Sequence, residues 1–214
     1  MKSATAAILA TFLILTASRM IEAQQDYLTW PAQRAESVGK AAYVRGRVGG
    51  RFDMRGLKTE RSYNYKLAAT LMMPAVVRAT ARRIQLAQRL TNAETEALVA
   101  QAERDPGMVV IVEVDPREGS GIIPSDWSAF LQPVMSGKAG RSVRGVNTPR
   151  LRDVQALAGV LRRNYDYDRF WVVFPTSLED GSPVWPPAST EVELVVRILD
   201  REGTVRWPMT LIRN

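Results

Sequence analysis

The stretch EVELVVRILDREGTVRWPMTLI, residues 191–212, decides the fold because it carries the period-2 pattern of a β-hairpin. Its first half, residues 191–199, places four aliphatic side chains on one face: Val192, Leu194, Val196 and Ile198. Residues 200–203 (DREG) predict the turn, with Gly203 at a positive φ, and residues 204–212 predict the returning strand. The hairpin therefore has one face that belongs to a hydrophobic core.

Upstream of the hairpin, short β-branched or aromatic segments predict further strands. In chain order they are residues 108–114, 127–132, 141–146 and 169–174. Thr148-Pro149 matches an N-cap followed by proline in the first turn, so one helix is expected to begin there and to end near Arg163. Because strands and helices do not alternate, residues 107–214 are predicted to form an antiparallel β-sandwich-like domain with one inserted helix.

Residues 63–106 are predicted to be a helical segment that precedes this domain. Good helix formers occupy residues 65–73, and Pro74 suits the first turn of a second helix. Residues 91–94 (TNAE) form a capping box that opens a further helix, and Asp105-Pro106-Gly107 ends it. The predicted fold class is therefore α+β.

The N-terminus has the organisation of a cleavable secretory signal peptide. A short positively charged start precedes the uncharged apolar residues 6–17, a run too short for a membrane span. Arg19 would lie inside the bilayer if this helix continued. The signal is assigned to residues 1–23, with cleavage after Ala17 or Ser18 as the alternative. We therefore expect an exported protein, either periplasmic or secreted.

Residues 24–62 are predicted to be a basic, glycine-rich arm or loop, because five glycines oppose a stable helix. Residues 34–89 hold thirteen Lys/Arg against three Asp/Glu, a net charge of +10, whereas residues 90–214 carry −3. Aromatic residues are interleaved with the basic ones, which suits an anionic partner. The predicted binding residues are Arg45, Arg47, Arg51, Arg55, Lys58 and Arg61.

For an exported protein, the partner of this arm would be an anionic envelope polymer, lipid headgroups or an acidic protein, and nucleic acid is disfavoured. The alternative is that the arm docks on the acidic second half of its own chain. The residues predict neither the ligand nor the oligomeric state.

The chain contains neither cysteine nor histidine. This composition excludes cysteine nucleophiles, Ser-His-Asp triads, thiolate or imidazole zinc sites and covalently attached haem. No cofactor and no metal site is predicted. The absence of cysteine also means that burial of apolar surface, rather than disulfide cross-links, must stabilise the fold.

Carboxylate chemistry remains compatible with this composition. Four acidic residues cluster around the end of the predicted strand 108–114 and the glycine-rich loop after it: Glu113, Asp115, Glu118 and Asp126. A glycosidase-type pair needs two carboxylates about 5–9 Å apart beside a cleft. Carboxylates at strand ends are also ordinary, so no catalytic residue is assigned.

Three functional hypotheses follow. The first is a non-enzymatic exported protein that acts in binding or assembly at a bacterial-type cell envelope. The second is an enzyme that acts on glycans through a pair drawn from the four carboxylates. The third is a purely structural domain whose basic and acidic halves neutralise each other.

Overall fold

Ten strands form two antiparallel sheets in the part of the chain that the structure describes. The structure is a computed structural model and describes residues 26–47, 49–50, 65–104, 107–116, 126–160, 168–199 and 201–213. The strands are β1 (Gly49–Gly50), β2 (Tyr65–Leu71), β3 (Met108–Pro116), β4 (Trp127–Met135), β5 (Lys138–Ala139), β6 (Val143–Arg144), β7 (Val146–Asn147), β8 (Asp168–Phe174), β9 (Glu191–Ile198) and β10 (Arg201–Pro208). The larger sheet has the order β1-β10-β9-β4-β5, with β6 also paired to β4, and the smaller sheet has the order β2-β3-β8-β7.

The C-terminal hairpin is confirmed. Strands β9 and β10 pair along their whole length, and the four side chains predicted to face inward are at most 1% exposed. The predicted turn is wrong in one respect. Strand β10 already begins at Arg201, so Leu199 adopts the left-handed φ of 53° that the sequence assigned to Gly203. Gly203 instead pairs with Val196 inside the ladder.

Strand β3 is central in the smaller sheet, and both of its faces are covered. Val110, Val112 and Val114 lie in the core between the two sheets. Val109 and Ile111 lie in a second hydrophobic cluster beneath the helices. This double burial explains why residues 108–114 are almost continuously apolar instead of alternating with polar residues.

The predicted helix over residues 65–73 is wrong, because Tyr65–Leu71 forms strand β2. Its partner is β3, which pairs with it from Tyr65↔Pro116 to Leu71↔Val110. Leu67, Ala69 and Leu71 then face the core between the sheets. Burial against a neighbouring strand outweighs the intrinsic preference of these residues, which amounts to tenths of a kcal/mol each. The segment predicted to be helical thus shares a sheet with the β domain.

Four α-helices accompany the sheets in the described residues: α1 (Ala32–Arg45), α2 (Pro74–Gln88), α3 (Asn92–Ala102) and α4 (Thr210–Arg213). Helix α2 begins with Pro74 in its first turn, as predicted. The capping box is confirmed as well. Thr91 Oγ1 accepts a hydrogen bond from the Glu94 backbone at 3.2 Å, and Glu94 Oε2 accepts one from the Thr91 backbone at 2.7 Å.

Helix α1 contradicts the prediction that the glycines of residues 24–62 prevent a stable helix. Gly39 lies in the middle of this helix and is buried. A Cβ at Gly39 would lie only 2.2 Å from the Cβ of Val160. The glycine therefore allows the helix to pack closely against the chain before β8, and this tertiary contact offsets its low helix propensity.

The residues after α1 connect the two sheets at one edge. The carbonyl of Gly46 accepts a hydrogen bond from the Ala69 backbone at 2.7 Å, and Arg47 forms a β-bridge with Ala68. Gly49 then pairs with Thr204 of β10. This part of the predicted arm is docked on the body of the protein, whereas residues 51–64 lie outside the described residues.

In the described residues 148–160, the inserted helix predicted from Thr148-Pro149 is replaced by two short 3-10 turns, Pro149–Asp153 and Gln155–Leu157. The side chain of Thr148 makes no capping hydrogen bond to this segment; its hydroxyl donates to the carbonyl of Val146 at 3.1 Å. Leu157 is held to the sheet by Trp171, whose Nε1 donates to its carbonyl at 2.9 Å.

The described residues thus form three layers. The larger sheet packs on one face of the smaller sheet, and α1, α2, α3 and the 3-10 turns are on the other side of the smaller sheet. Within these residues no helix combines the length and the hydropathy that crossing a membrane requires.

Candidate functional site

A cavity of about 350 Å³ lies in the seam between α1, the start of α2 and the C-terminal residues after β10. We call it the arginine cavity. Its volume falls within the range of about 300–1,000 Å³ that is usual for small-ligand sites. Apolar side chains form most of its wall, including Val38, Leu71, Met73, Trp207 and Leu211.

Small side chains on α1 and α2, and an ion pair that joins the two helices away from the cavity, leave room for the cavity. Ala41 and Ala42 on α1 and Ala75 on α2 line it. The first half of α1 is held to the second half of α2 by an ion pair between Glu36 and Arg83. The two helices are therefore tied together away from the cavity, and the alanines leave space at the other end.

Two guanidinium groups line the otherwise apolar cavity. Arg45 lies in the last turn of α1 and is exposed, whereas Arg78 lies in the second turn of α2 and is partly buried. Among the described residues, neither arginine has a carboxylate within ion-pair distance. The Nε of Arg78 is buried and makes no hydrogen bond. A buried polar group without a partner costs about 1–3 kcal/mol, so this arrangement is unfavourable without an acceptor.

The first turn of α2 adds to the positive potential at this end of the cavity. Pro74 and Ala75 both line the cavity, and no side chain caps the helix at Met73. The partial positive charge of a helix N-terminus extends over about one turn. It therefore reinforces the field of Arg45 and Arg78.

Arg78 also lies within electrostatic reach of Tyr27, whose hydroxyl is buried and has no hydrogen-bond partner. Burial raises the pKa of Tyr27, and the charge of Glu96 raises it further, whereas Arg78 opposes both. The phenol is thus neutral at ordinary pH and does not neutralise the arginine.

A second cavity, of about 550 Å³, adjoins the first. We call it the methionine cavity, because four methionines line it: Met72, Met73, Met108 and Met209. Trp185 and Ile212 complete much of its apolar wall, and Glu103 is its charged lining residue. The two cavities share Met73 and Pro74, so they lie on either side of the connection between β2 and α2.

A third, narrower cavity surrounds Glu113 on the helix-facing side of β3. The carboxylate pairs with Arg169 of the neighbouring β8, Oε1 to Nε at 2.9 Å, and the two side chains are 7% and 27% exposed. Arg169 Nη1 also donates to the carbonyl of Ala158 at 3.3 Å. We call this arrangement the Glu113–Arg169 cavity. Its charge is neutralised inside the fold.

The four candidate carboxylates do not form a glycosidase-type pair among the described residues. Glu113 is paired with Arg169, and Asp126 is exposed at the start of β4. Asp126 is not part of the wall around Glu113. The backbone of Asp115 pairs with Lys66, and its side chain, like the whole of Glu118, lies outside the described residues.

The predicted basic residues divide into two groups. Arg45 and Arg47 are described and exposed, but only Arg45 lines the arginine cavity. Arg51, Arg55, Lys58 and Arg61 lie outside the described residues. Sequence reasoning missed Arg78, since its helix also carries Arg82, Arg83 and Arg89 and resembles an ordinary solvated face. Its position one turn after Pro74, between the apolar Val77 and Ala79, is the sequence signal that could have pointed to it.

In the described part of the chain, no group of three or more acidic side chains could hold a metal ion. The fold and its cavities define an α+β protein in which two packed antiparallel sheets carry a helical layer. No protein-family model matches the chain, and no curated protein or solved structure matches it at a significant level.

Proposed function

We propose that the protein is an exported, non-enzymatic binding protein of the cell envelope, and that its ligand is a small amphipathic molecule with an anionic head. The observation that carries this proposal is the pair Arg45 and Arg78, which have no acidic partner among the described residues and lie beside an apolar cavity. An apolar body would fill the cavity, while a carboxylate or phosphate would accept hydrogen bonds from the guanidinium groups.

Charge complementarity supports an anionic rather than a neutral or cationic ligand. The two arginines and the α2 N-terminus are positive, and the described lining of the arginine cavity contains no acidic residue. A hydrogen bond to a charged group contributes about 1.5–3 kcal/mol, which corresponds to a tenfold to hundredfold change in affinity. The head group should therefore discriminate strongly between ligands that share one apolar chain.

The absence of histidine and cysteine from the chain and the arrangement of the described carboxylates favour binding over catalysis. Of the two candidate acids whose side chains are described, Glu113 is buried and pairs with Arg169, whereas Asp126 is exposed. The glycan-enzyme hypothesis would need a second carboxylate in the same cavity, and the described lining offers none.

Export is proposed from the signal-like residues 1–23. N-terminal sequencing of the protein purified from its native host should give a first residue of Gln24, or one just after Ala17 or Ser18. An intact Met1 on protein recovered from the cytoplasm would contradict export.

Isothermal titration with three probes of equal chain length tests the binding proposal. Dodecanoate, dodecanol and dodecyltrimethylammonium are titrated at low ionic strength below their micelle-forming concentrations, with circular dichroism confirming that the protein stays folded. Dodecanoate should bind with 1:1 stoichiometry and at least about tenfold more tightly than the ammonium probe. Equal affinity for all three probes, or no binding by folded protein, would overturn the proposal.

Matched variants locate the binding. The double variant R45Q/R78Q should lose at least about tenfold in dodecanoate affinity, whereas Arg47→Gln, an exposed arginine two residues along the chain from Arg45, should change it by less than about twofold. Ala41→Trp should abolish binding by filling the cavity, while Val44→Trp, on the exposed side of the same helix, should not.

A further inference from the structure

We infer that the ligand is a single-chain amphiphile long enough for its tail to pass Met73 and enter the methionine cavity, with its head held at Arg45 and Arg78. This inference rests on the proposed function and adds the direction in which the ligand lies and the class of its tail. Four observations carry it: the wall that the two cavities share, the opposite signs of their charged groups, the apolar wall of the methionine cavity, and the position of α4 beside both cavities.

The shared wall allows one molecule to occupy both cavities. Met73 and Pro74 line both, and Met73 is only partly buried. A methionine side chain has three rotatable bonds and adapts its shape to a neighbouring apolar group. Met73 is therefore a divider that a flexible chain can displace, whereas a rigid aromatic side chain at this position would block it.

The charged groups set the orientation. The arginine cavity has two guanidinium groups and the positive N-terminus of α2. The methionine cavity has Glu103, which is the C-cap of α3, so a negative side chain and the negative end of a helix dipole coincide there. An anionic head is attracted to the first cavity and repelled by the second, and the tail must therefore lie toward the methionines.

The wall of the methionine cavity suits an alkyl chain better than a polar ligand. Met72, Met108, Met209 and Trp185 supply a soft, polarisable surface. Glu103 is the single charged residue in the described lining of this cavity, and the cavity volume of about 550 Å³ exceeds that of the arginine cavity. Each methylene that moves from water into such a surface contributes about 0.8 kcal/mol, or roughly fourfold in affinity.

Helix α4 lies beside both cavities, which ties them into one site. Thr210 and Leu211 line the arginine cavity, whereas Met209 and Ile212 line the methionine cavity. The chain is anchored just before α4, where the backbone N–H of Met209 donates to the carbonyl of Thr190 at 2.9 Å. A bound chain would therefore contact successive residues, from Met209 just before α4 to Ile212 within it.

A chain-length series tests the inference. Octanoate, dodecanoate and hexadecanoate are titrated into the intact protein below their micelle-forming concentrations. Affinity should rise at least about hundredfold from octanoate to dodecanoate and should rise again at hexadecanoate. If octanoate binds as tightly as hexadecanoate, the tail does not enter the second cavity and the inference fails, although the proposed function stands. If no chain binds, the proposed function itself fails.

Two neighbouring variants show where the tail lies. Thr176 is exposed and lines the methionine cavity, so Thr176→Trp should fill that cavity and remove the gain between dodecanoate and hexadecanoate without weakening octanoate binding. Ser177→Trp is the matched control, because Ser177 is exposed but does not line the cavity. An unchanged chain-length gain in folded Thr176→Trp would show that the tail leaves in another direction and would overturn the inference.

Discussion

The arginine cavity and the Glu113–Arg169 cavity are both lined by residues of α1, but their charged groups are arranged in opposite ways. In the Glu113–Arg169 cavity a buried carboxylate and a guanidinium group pair at 2.9 Å, so the charge is neutralised inside the fold. In the arginine cavity, Arg45 and Arg78 lie beside apolar side chains without an acidic partner among the described residues. The paired charge serves the fold, and the unpaired charges are available to a ligand.

Breaking the buried pair should give the largest loss of stability. Glu113→Gln leaves Arg169 without its counter-charge, which should lower the free energy of unfolding by about 3 kcal/mol, the smaller end of the range because Arg169 is partly exposed. Dodecanoate affinity should stay within about twofold. Urea unfolding and calorimetric titration measure the two effects, with Asp126→Asn as the exposed-carboxylate control. A stable variant that had lost binding would reverse the roles assigned to the two cavities.

A change at Gly39 should disturb both cavities, because α1 lines each of them. The Cβ of Gly39→Ala would meet the Cβ of Val160 at 2.2 Å and push α1 away from the segment before β8. We expect a loss of about 2 kcal/mol in stability and weaker dodecanoate binding. Ser37→Ala, on the exposed side of α1, is the control. Unchanged thermal and urea unfolding for Gly39→Ala would show that the close approach of α1 is not required.

Replacement of Arg78 should separate binding from stability. Arg78→Met keeps most of the side-chain volume and removes a buried Nε that has no partner, so the free energy of unfolding should stay the same or rise by about 1 kcal/mol. Dodecanoate affinity should nevertheless fall at least about tenfold. A marked loss of stability would indicate that Arg78 supports the fold as Arg169 does.

The smallest effect is expected at an exposed carboxylate. Trp30 Nε1 donates to Asp26 at 3.1 Å and Arg34 pairs with the same carboxylate, and these contacts lower the pKa of Asp26, the hydrogen bond contributing most. Because the pKa is lowered in the folded state, the stabilisation is present above about pH 4 and disappears as the pH falls through the folded value. The small stability difference between wild type and Asp26→Asn should therefore be constant above about pH 4 and should narrow as the pH falls further below that value. A difference that grows with acidity would contradict this assignment.

Two of the wrong secondary-structure predictions, those for β2 and for α1, have a common physical cause. The sequence of β2 has good helix formers and that of α1 contains a central glycine, so local preference favours the opposite structure in each case. Pairing with β3 and close packing against Val160 reverse these preferences. Both contacts join residues that are far apart in the chain, and local patterns carry no information about them.

The candidate site was only partly predictable for the same reason. Arg45 was identified as a candidate for binding an anion, but as a member of an extended arm and not as the rim of a cavity. Arg78 and Trp207 are separated from it by 33 and 162 residues and meet it only after α1, α2 and β10 pack together. The apolar space between them depends on alanines that any amphipathic helix could contain.

The sequence by itself determined the hairpin β9–β10, the capping box of α3, the start of α2 at Pro74 and the exclusion of histidine and cysteine chemistry. Each of these depends on residues close together in the chain or on composition alone. The tertiary structure decided that residues 65–71 are a strand, that α1 docks, and that Arg45 and Arg78 share a cavity while Glu113 is paired. These outcomes depend on which buried surfaces meet, and the free energy of that burial exceeds the local preferences it overrides.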